Sequence, residues 1–462
     1  MENFLEKFDI PCKRLGLFLK REALVIYPAL SMVFESKKMK HITLIGIALC
    51  LTFSAAFPMD ETHAALPDSL VLHVSNPLAI IRIDEAVSLN VASIQKITPT
   101  FDPQSCAVYS GNVEIPSQID DTDRNGSPDL LTFVTDFAPH ERKAIVVRWG
   151  PHAAQKKNYT KRTQADMSIK VDYDFVKGKY LKGRYIRVDS IRVPAAHGDH
   201  DGLFQHEGPA WESDKIGYRF YLDARNRTDI FGKKVADMVL HTAGVHDLVA
   251  DNNESYESML DWGMDNFKVG TSLGIGSIAM YNGREVITVS NTDSVFCVIA
   301  ANGPVRSDVR ASYYGWNVAG KKYDLVSSYS ITAGSRLTLC REKILPGSPN
   351  LCTGLAKHEN TTLLESAGPP EEGWQYFGLY GNQSRAGDNM GIAVFYKASE
   401  KIERRTDDVS ELVVLRPDGG ALDYYFAAAW QQEQNGITTI EDFHSYLESV
   451  IEKLNNPIRV IF

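Results

Sequence analysis

The chain has 462 residues, of which 44% are hydrophobic and 23% are charged, and its formal net charge is −9. This length and apolar content predict roughly two packed domains and exclude a disordered or collagen-like chain. The acidic balance, with no long run of Lys or Arg, argues against a nucleic-acid partner, although a local basic cluster can still bind an anionic ligand.

The N-terminal region is typical of a secretory signal peptide. Residues 37–40 are rich in Lys, residues 42–53 are apolar, and small residues follow at 54–56. The apolar run is too short for a membrane span. We therefore expect a signal peptide over residues 39–56, an upstream start-site artefact over residues 1–38, and a periplasmic or secreted bacterial protein without a stable membrane anchor. A cytoplasmic extension with an uncleaved anchor is the alternative.

Short β-branched runs separated by turn residues follow, at residues 70–74, 79–83, 86–91, 130–133 and 144–149. Runs with this spacing predict a small β-sandwich or barrel over residues 66–152. The polar and basic stretch after it, residues 155–163, predicts a linker.

The remainder of the chain, residues 165–462, is predicted to be a large antiparallel β-sandwich that ends in a helix. Alternating polar and apolar residues recur through it, as at residues 185–188 and 392–396. Near the C-terminus, Thr438 or Thr439 is a good N-cap, and apolar residues then follow at helical spacing. The predicted fold class is therefore mostly β.

Four cysteines follow the predicted signal peptide, and an exported chain can oxidise them. Cys340 and Cys352 flank a turn rich in Pro, Gly and Asn, so we expect them to form a disulfide. Buried free thiols are the alternative, and the cysteine spacing does not fit a zinc site.

An acidic turn is a candidate calcium site. Asp121, Asp123 and Asn125 offer oxygen ligands at alternate positions before a Gly, and Asp129 adds another carboxylate. This pattern is typical of a calcium loop, but Thr132 stands where an EF-hand has its Glu, which excludes an EF-hand. A hairpin tip held by Asx-turns is the alternative to calcium binding.

Three histidines and several carboxylates lie within residues 197–207, in a stretch that contains Gly and lacks apolar periodicity. Such a stretch predicts a loop, where catalytic residues concentrate. We assign His206, which precedes Glu207, to a candidate cleft as a general base or acid. A metal site is the weaker alternative because the ligand spacing is irregular.

Residues 209–225 combine aromatic rings with charge. In an extended strand Arg219, Tyr221 and Arg225 share one face. Two arginines can hold a carboxylate bidentately while an aromatic ring stacks on a sugar. We therefore assign Trp211, Arg219, Tyr221 and Arg225 to substrate binding and Glu212 to acid catalysis. A structural Arg–Asp ladder inside a sandwich is the alternative.

A fourth cluster contains Asp265 and Lys268 beside Trp262, with His246 further upstream. We expect Asp265 and His246 to be catalytic, and Trp262 and Lys268 to bind substrate. A buried Asp–Lys ion pair near a turn is the alternative. The Gly-rich run that follows lacks the Lys-Ser/Thr of a phosphate loop, and no Gly-x-Ser-x-Gly elbow marks a serine esterase.

Several runs are specific only in combination, at residues 208–214, 218–225, 229–233, 261–265, 268–270, 388–391 and 424–430. On these runs the chain resembles the exported bacterial proteins called domain of unknown function 4861, from about residue 70 to the C-terminus. The resemblance implies a setting among polysaccharide-degrading bacteria, near genes for pectin and other uronate-containing glycans. It also implies a small β-domain followed by a sandwich like that of galactose-mutarotase-type enzymes, and it implies no mechanism.

Together these features predict an exported carbohydrate-active protein that acts on uronic-acid-containing oligosaccharides as a lyase or a glycoside hydrolase. A lyase would need a histidine base, a cation that neutralises the carboxylate, and an acid such as Glu212 or Asp265. A hydrolase would pair Glu212 with Asp265 or Glu207. A non-catalytic glycan-binding protein and a sugar epimerase or mutarotase are the alternatives. A cleft in which His246, Glu212, Arg219 and Asp265 meet would favour catalysis.

Overall fold

A computed structural model describes residues 68–151, 153, 158–245, 256–367 and 372–462. The predicted signal peptide and the segment before it lie outside the described residues, so both stay predictions. Among the described residues, neither α-helix has the length and hydrophobicity that a membrane span needs.

The elements of the first third of the chain are β1 (Asp68–Ser75), β2 (Arg82–Asn90), α1 (Val91–Ile97), β3 (Ala107–Ser110), β4 (Val113–Ile115), β5 (Ser117–Asp120), β6 (Leu130–Phe137), β7 (Arg142–Trp149), β8 (Thr163–Asp166) and β9 (Ser168–Val171). The middle of the chain forms β10 (Asp174–Val176), β11 (Lys179–Leu181), β12 (Arg184–Arg187), β13 (Ser190–Arg192), β14 (Ala210–Ser213), β15 (Gly217–Phe220), β16 (Thr228–Lys233), β17 (Gly263–Asp265), β18 (Ile275–Tyr281), β19 (Val286–Thr288) and β20 (Ser294–Asn302). The last part forms β21 (Arg306–Val318), β22 (Lys321–Thr332), β23 (Leu337–Leu345), β24 (Leu351–Ala356), β25 (Thr361–Glu365), β26 (Trp374–Asn382), β27 (Asn389–Lys397), β28 (Lys401–Thr406), β29 (Ser410–Leu415), β30 (Ala421–Trp430), α2 (Ile440–Asn455) and β31 (Arg459–Ile461). Short 3₁₀ turns lie at Pro103–Ser105 and Ala398–Glu400.

Two small sheets, β31-β1-β7-β3-β4 and β2-β6-β5, contain the first strands of the chain. Their apolar residues form one buried cluster, in which Leu72 of β1 and Ile145 of β7 are fully enclosed. The predicted strand at residues 86–91 ends one residue early, because the Asn90 side chain accepts a hydrogen bond from the Ser93 amide and caps α1.

The C-terminal strand β31 returns to this first part of the chain and pairs with β1, so that Val460 lies opposite Val74. The predicted division, with one domain over residues 66–152 and another over residues 165–462, did not anticipate that a C-terminal strand pairs with the first of them. Residues His63–Phe462 form one compact unit. The division within that unit stays a prediction.

Three larger sheets follow: the nine-stranded β13-β20-β21-β22-β23-β30-β27-β26-β25, and the five-stranded β19-β18-β24-β29-β28 and β17-β16-β15-β14-β8. Neighbouring strands in all three are antiparallel. One large apolar cluster joins these sheets and encloses Trp211, Trp316, Tyr329 and Trp430 completely. The predicted fold class, mostly β with antiparallel sandwich layers and a C-terminal helix, is confirmed.

Helix α2 forms where the sequence predicts it. Its N-cap is Thr439, whose side chain accepts a hydrogen bond from the Asp442 amide, and its buried face includes Phe443 and Leu447. Burial of such side chains stabilises the helix by about 1.5–3 kcal/mol each. Gly391 on β27 makes room for the ring of Phe443, since a Cβ there would lie 2.4 Å from that ring.

The predicted disulfide between Cys340 and Cys352 is wrong, because both of these cysteines are free thiols. Cys340 packs in the large cluster between the sheets. Cys352 packs in a separate cluster with Leu273 and Val414. The two thiols therefore point into different apolar environments, and burial alone accounts for both residues.

Candidate active site

The sheet β17-β16-β15-β14-β8 has one apolar face and one charged face, because side chains alternate along each strand. The apolar face belongs to the large core and includes Trp211, Tyr218 and Ile230. We call the opposite face the charged face; it carries Gln164, Asp166, Glu212, Arg219, Asp229, Lys233 and Asp265. All seven side chains are buried. Burial of this much charge requires close pairing or a functional reason.

Arg219 is the centre of the charged face. It pairs across the strands with Asp229, and its Nη2 lies 2.7 Å from Asp229 Oδ2 and 2.6 Å from Asp265 Oδ2. The same nitrogen donates to the Tyr221 hydroxyl at 3.0 Å, and Nη1 donates to the Tyr256 hydroxyl at 3.1 Å. One buried guanidinium therefore holds two carboxyl groups and two phenols together.

The two carboxyl groups on Arg219 differ in how well they are bonded. Asp229 accepts hydrogen bonds from Arg219, from the Tyr221 hydroxyl and from the Ile230 amide. Asp265 Oδ1 is buried and has no hydrogen-bond partner among the described residues. Burial raises the pKa of Asp265 to about 8, although Arg219 opposes the shift. This shift favours the protonated form of Asp265 at neutral pH, which is the form that a general acid needs.

A second arginine extends the cluster towards the surface. Arg225 Nη2 lies 2.7 Å from Glu207 Oε1 and 2.6 Å from Asp223 Oδ2, and its Nη1 lies 2.7 Å from Asp199 Oδ1. Glu207 also approaches Arg219, with 3.6 Å between Oε2 and Nη1. The strand ends at residue 220, so Arg225 reaches this group from a turn rather than from the predicted continuous strand.

The cluster also reaches the surface at Arg385. Its Nη1 lies 3.5 Å from Asp265 Oδ2, and its Nη2 lies 3.1 Å from Glu257 Oε2. The Arg385 side chain is 36% exposed, whereas the Asp265 side chain is 1% exposed. We call the whole set the Arg219 network; its members are Asp199, Glu207, Arg219, Asp223, Arg225, Asp229, Glu257, Asp265 and Arg385.

Two predicted site residues, Trp211 and Glu212, have structural roles instead. Trp211 is 0% exposed and its ring stacks on Tyr329 in the core, so it offers no face to a ligand. Glu212 Oε2 forms a fully enclosed ion pair with Lys233 at 2.6 Å, and its Oε1 accepts the amides of residues 239 and 240. Glu212 therefore holds in place the segment around residues 239 and 240, which covers the charged face. It is a poor candidate for a catalytic acid.

His206 is buried under the same covering segment. Its Nε2–H donates to the Ala243 carbonyl at 3.0 Å, and its ring packs edge-on against Phe231 and Tyr256. Burial lowers the pKa of His206 to about 3, so the ring is neutral and only weakly basic. The structure therefore argues against His206 as the general base and makes its neighbour Glu207 the better candidate.

The remaining predicted residues divide between the site and the surface. Trp262 is half-buried, and its ring centroid lies 6.2 Å from that of Phe231, next to the charged face. Lys268 is exposed. Asp265 pairs with Arg219 and Arg385, so the predicted acid–base pair of Asp265 and Lys268 is replaced by arginine partners. His246 lies outside the described residues.

Two groups of side chains have the ligand spacing of a metal site among the described residues: Asp121 with Asp123 and Asp129, and Asp199 with His200 and Glu207. Asn125, the fourth ligand predicted for the first site, is not in that group, and its side-chain oxygen accepts the Ser127 amide. In the second group the guanidinium of Arg225 already bonds to both carboxylates. The calcium loop stays a prediction.

Sequence reasoning did not single out Asp229 or Arg385 as site residues. Asp229 could have been found, because it shares a strand face with Lys233 and lies on a strand that follows Arg219 closely. Arg385 has no such signal, since its contact with Asp265 joins residues 120 positions apart.

A β-sandwich protein with a buried cluster of arginines and carboxyl groups is the class that this fold and site define. The chain belongs to the family described as Domain of unknown function (DUF4861), whose model matches residues 74–460. It is 23% identical over 447 residues to the Uncharacterized protein P7 of Formosa agariphila (strain DSM 15362 / KCTC 12365 / LMG 23005 / KMM 3901 / M-2Alg 35-1), a match that covers 91% of this chain and 99% of that protein.

Two solved structures from Enterococcus faecalis are also similar: an alpha-mannosidase of strain V583 and a protein in the glycosyl hydrolase family 38. Each is 9% identical with a TM-score of 0.43, and each match covers 85% of this chain. The chain spans less than half the length of these structures, 46% and 47% respectively.

Proposed function

We propose that this chain is an exported carbohydrate-active enzyme that acts on uronic-acid-containing oligosaccharides, with Asp265 as the general acid and Glu207 as its carboxylate partner. The observation that carries the proposal is the contrast between two carboxyl groups on one guanidinium. Asp229 is fully hydrogen-bonded, whereas Asp265 keeps a free oxygen and a pKa raised to about 8 by burial. Carboxyl groups whose environments separate their pKa values are typical of acid–base sites.

Among the described residues, the geometry favours hydrolysis over elimination. Asp265 and Glu207 both contact Arg219, so they lie within the range of up to about 10 Å at which paired carboxyl groups act on a glycosidic bond. Asp265 would protonate the glycosidic oxygen as its bond to the anomeric carbon breaks. Glu207 would take a proton from the water that adds to that carbon. A lyase would need a base. Burial lowers the pKa of His206 to about 3, which leaves its ring only weakly basic, and raises the pKa of Tyr256 to about 12, which keeps its hydroxyl protonated. His246, the other predicted base, lies outside the described residues.

Substrate recognition follows from the exposed side of the Arg219 network. Arg225 and Arg385 are its partly exposed cations and suit a uronate carboxylate. Trp262, half-buried beside the charged face, offers a ring for stacking on a sugar. Asp265 itself is buried behind Arg385, so a substrate reaches it only when the Arg385 side chain moves aside.

The test is incubation of the purified protein with pectic, rhamnogalacturonan and ulvan-type oligosaccharides. Absorbance of unsaturated uronates and the mass of the products are followed together. We expect cleavage with a mass gain of one water per bond, and loss of cleavage in Asp265→Asn. New absorbance would instead indicate a lyase.

The matched control is Glu342→Gln, because Glu342 is another fully buried carboxyl whose pKa burial raises to about 8 and which lies outside the Arg219 network. Its removal should leave turnover unchanged. Binding without any change in the oligosaccharides would overturn the enzymatic proposal in favour of a glycan-binding protein.

A further inference from the structure

A basic hairpin projects from the second part of the chain. It consists of β10, β11 and the turn between them, and we use this name for residues 174–182. Residues 170–187 contain six Lys or Arg and two Asp, in a chain whose net charge is −9. The charge of this segment is therefore opposite in sign to that of the protein as a whole.

The hairpin exposes aromatic and aliphatic side chains together with its lysines. Phe175 is 52% exposed, Val176 is 46% exposed and Leu181 is 44% exposed. Lys182 pairs with Asp174 at 2.7 Å. Lys177 and Lys179, which flank the turn, are exposed and form no ion pair with any described residue. Lys177 and Lys179 thus lie at the tip of the hairpin, where Lys179 pairs across the strands with Val176, on the face opposite to the Phe175 ring.

The hairpin is fastened to the loop that carries Asp199, His200 and Glu207. The Tyr180 amide donates to the Asp201 carbonyl at 2.7 Å. The side chain of Lys170, on the strand before the hairpin, donates to the Tyr180 carbonyl at 2.8 Å. Asp201 lies two residues after Asp199 in the sequence, so these bonds place the hairpin next to the exposed edge of the Arg219 network.

We propose that the basic hairpin is an accessory subsite for a polyanionic glycan chain, carboxylated or sulfated, that extends from the candidate active site. The assignment rests on the proposed function for its substrate class. Exposed ammonium groups attract the anionic substituents over a distance of about 8–10 Å, and the Phe175 ring covers the apolar face of a sugar. The subsite adds affinity for long chains and takes no part in bond cleavage.

The experiment measures binding to polygalacturonate, chondroitin sulfate and neutral dextran by affinity electrophoresis at rising salt. We expect Lys177→Glu/Lys179→Glu to weaken binding to an anionic polymer about tenfold, and Phe175→Ala to weaken it by a smaller factor. The matched control is Lys96→Glu/Lys343→Glu, which makes the same charge change at two exposed lysines that form no ion pair with any described residue. It should bind as the wild type does.

Three outcomes would overturn the assignment: equal binding by the hairpin variant and the wild type, equal retention of dextran and the anionic polymers, or binding to vesicles that contain phosphatidylserine but to neither anionic polymer. Asp265→Asn separates this proposal from the proposed function. That variant should retain polymer binding. If its turnover were unimpaired, the proposed active site would be refuted and the proposed subsite would not. The hairpin residues are exposed, so an unchanged unfolding midpoint checks that the variants fold.

Discussion

The protonation of Asp265 can be tested by thermodynamics, without knowledge of the substrate, in the variant Asp265→Asn. Burial raises the pKa of Asp265 to about 8, whereas an Asp in an unfolded chain has a pKa of about 3.9. Between these values the folded protein keeps a proton that the unfolded chain releases. The free energy of unfolding therefore falls as the pH rises, by about 1.4 kcal/mol per pH unit.

Asparagine does not titrate, so the variant lacks this dependence, and every other titrating group cancels in the difference between the two proteins. The free energy of unfolding of the variant, relative to the wild type, should rise by roughly 3 kcal/mol between about pH 5 and pH 7.5. Urea unfolding followed by tryptophan fluorescence at several pH values measures it. A difference that does not change with pH would mean that Asp265 is ionised at neutral pH, which would remove it as a general acid.

Glu342→Gln provides an internal standard for this measurement. Glu342 is fully buried among Ser327 and Tyr424, and burial raises its pKa to about 8 as well. Its variant should show a similar slope with pH. If Glu342→Gln shows the slope and Asp265→Asn does not, the reasoning about burial holds and the assignment of Asp265 fails.

Three further predictions concern stability. Lys233→Met should cost about 3–5 kcal/mol because it leaves the enclosed Glu212 without its cation, and Glu212→Gln in the same chain should recover most of this cost, both measured by urea unfolding. Gly263→Ala should lower the unfolding midpoint, because its φ is +135° and a Cβ would lie 1.8 Å from the Gly232 carbonyl oxygen; Gly347→Ala, with no atom within 4 Å of its Cβ, should leave the midpoint unchanged. Reductant should leave the midpoint unchanged because Cys340 and Cys352 are free thiols, and a drop would restore the predicted disulfide.

Local signals were sufficient for some elements of this fold and not for others. Helix α2 was predictable because a Thr N-cap and a run of apolar residues at 3–4 spacing act within one segment. The short helix α1 was missed because Val91 continues a β-branched run, and only the Asn90 cap marks the change. The return of β31 to β1 joins the two ends of the described chain, so no local pattern could indicate it.

The candidate site was predictable only in part, and the physical reason is the two-residue period of a strand. Trp211 and Glu212 are neighbours on β14, so their side chains point to opposite faces of the sheet and could not both line one cleft. Arg219 and Asp265 do meet, as the hypothesis of a shared cleft required. Glu212 forms no bond with either of them, because its carboxylate bonds to Lys233 and to two backbone amides. Alternation predicts which residues share a face, but not which face the core covers.

The pair of Glu212 and Lys233 shows what a structural ion pair is like in this protein: one acid and one base, both fully enclosed. The Arg219 network differs in three respects among the described residues. Its six carboxyl groups outnumber its three arginines, Asp265 Oδ1 has no partner, and Arg385 connects it to solvent. Two of the six carboxyl groups, those of Asp199 and Glu257, are 60% and 44% exposed, whereas the Asp265 carboxyl is 1% exposed and its oxygen without a partner is costly for stability. This buried oxygen, next to an arginine that reaches solvent, is therefore the feature that supports the proposed active site over a purely structural network.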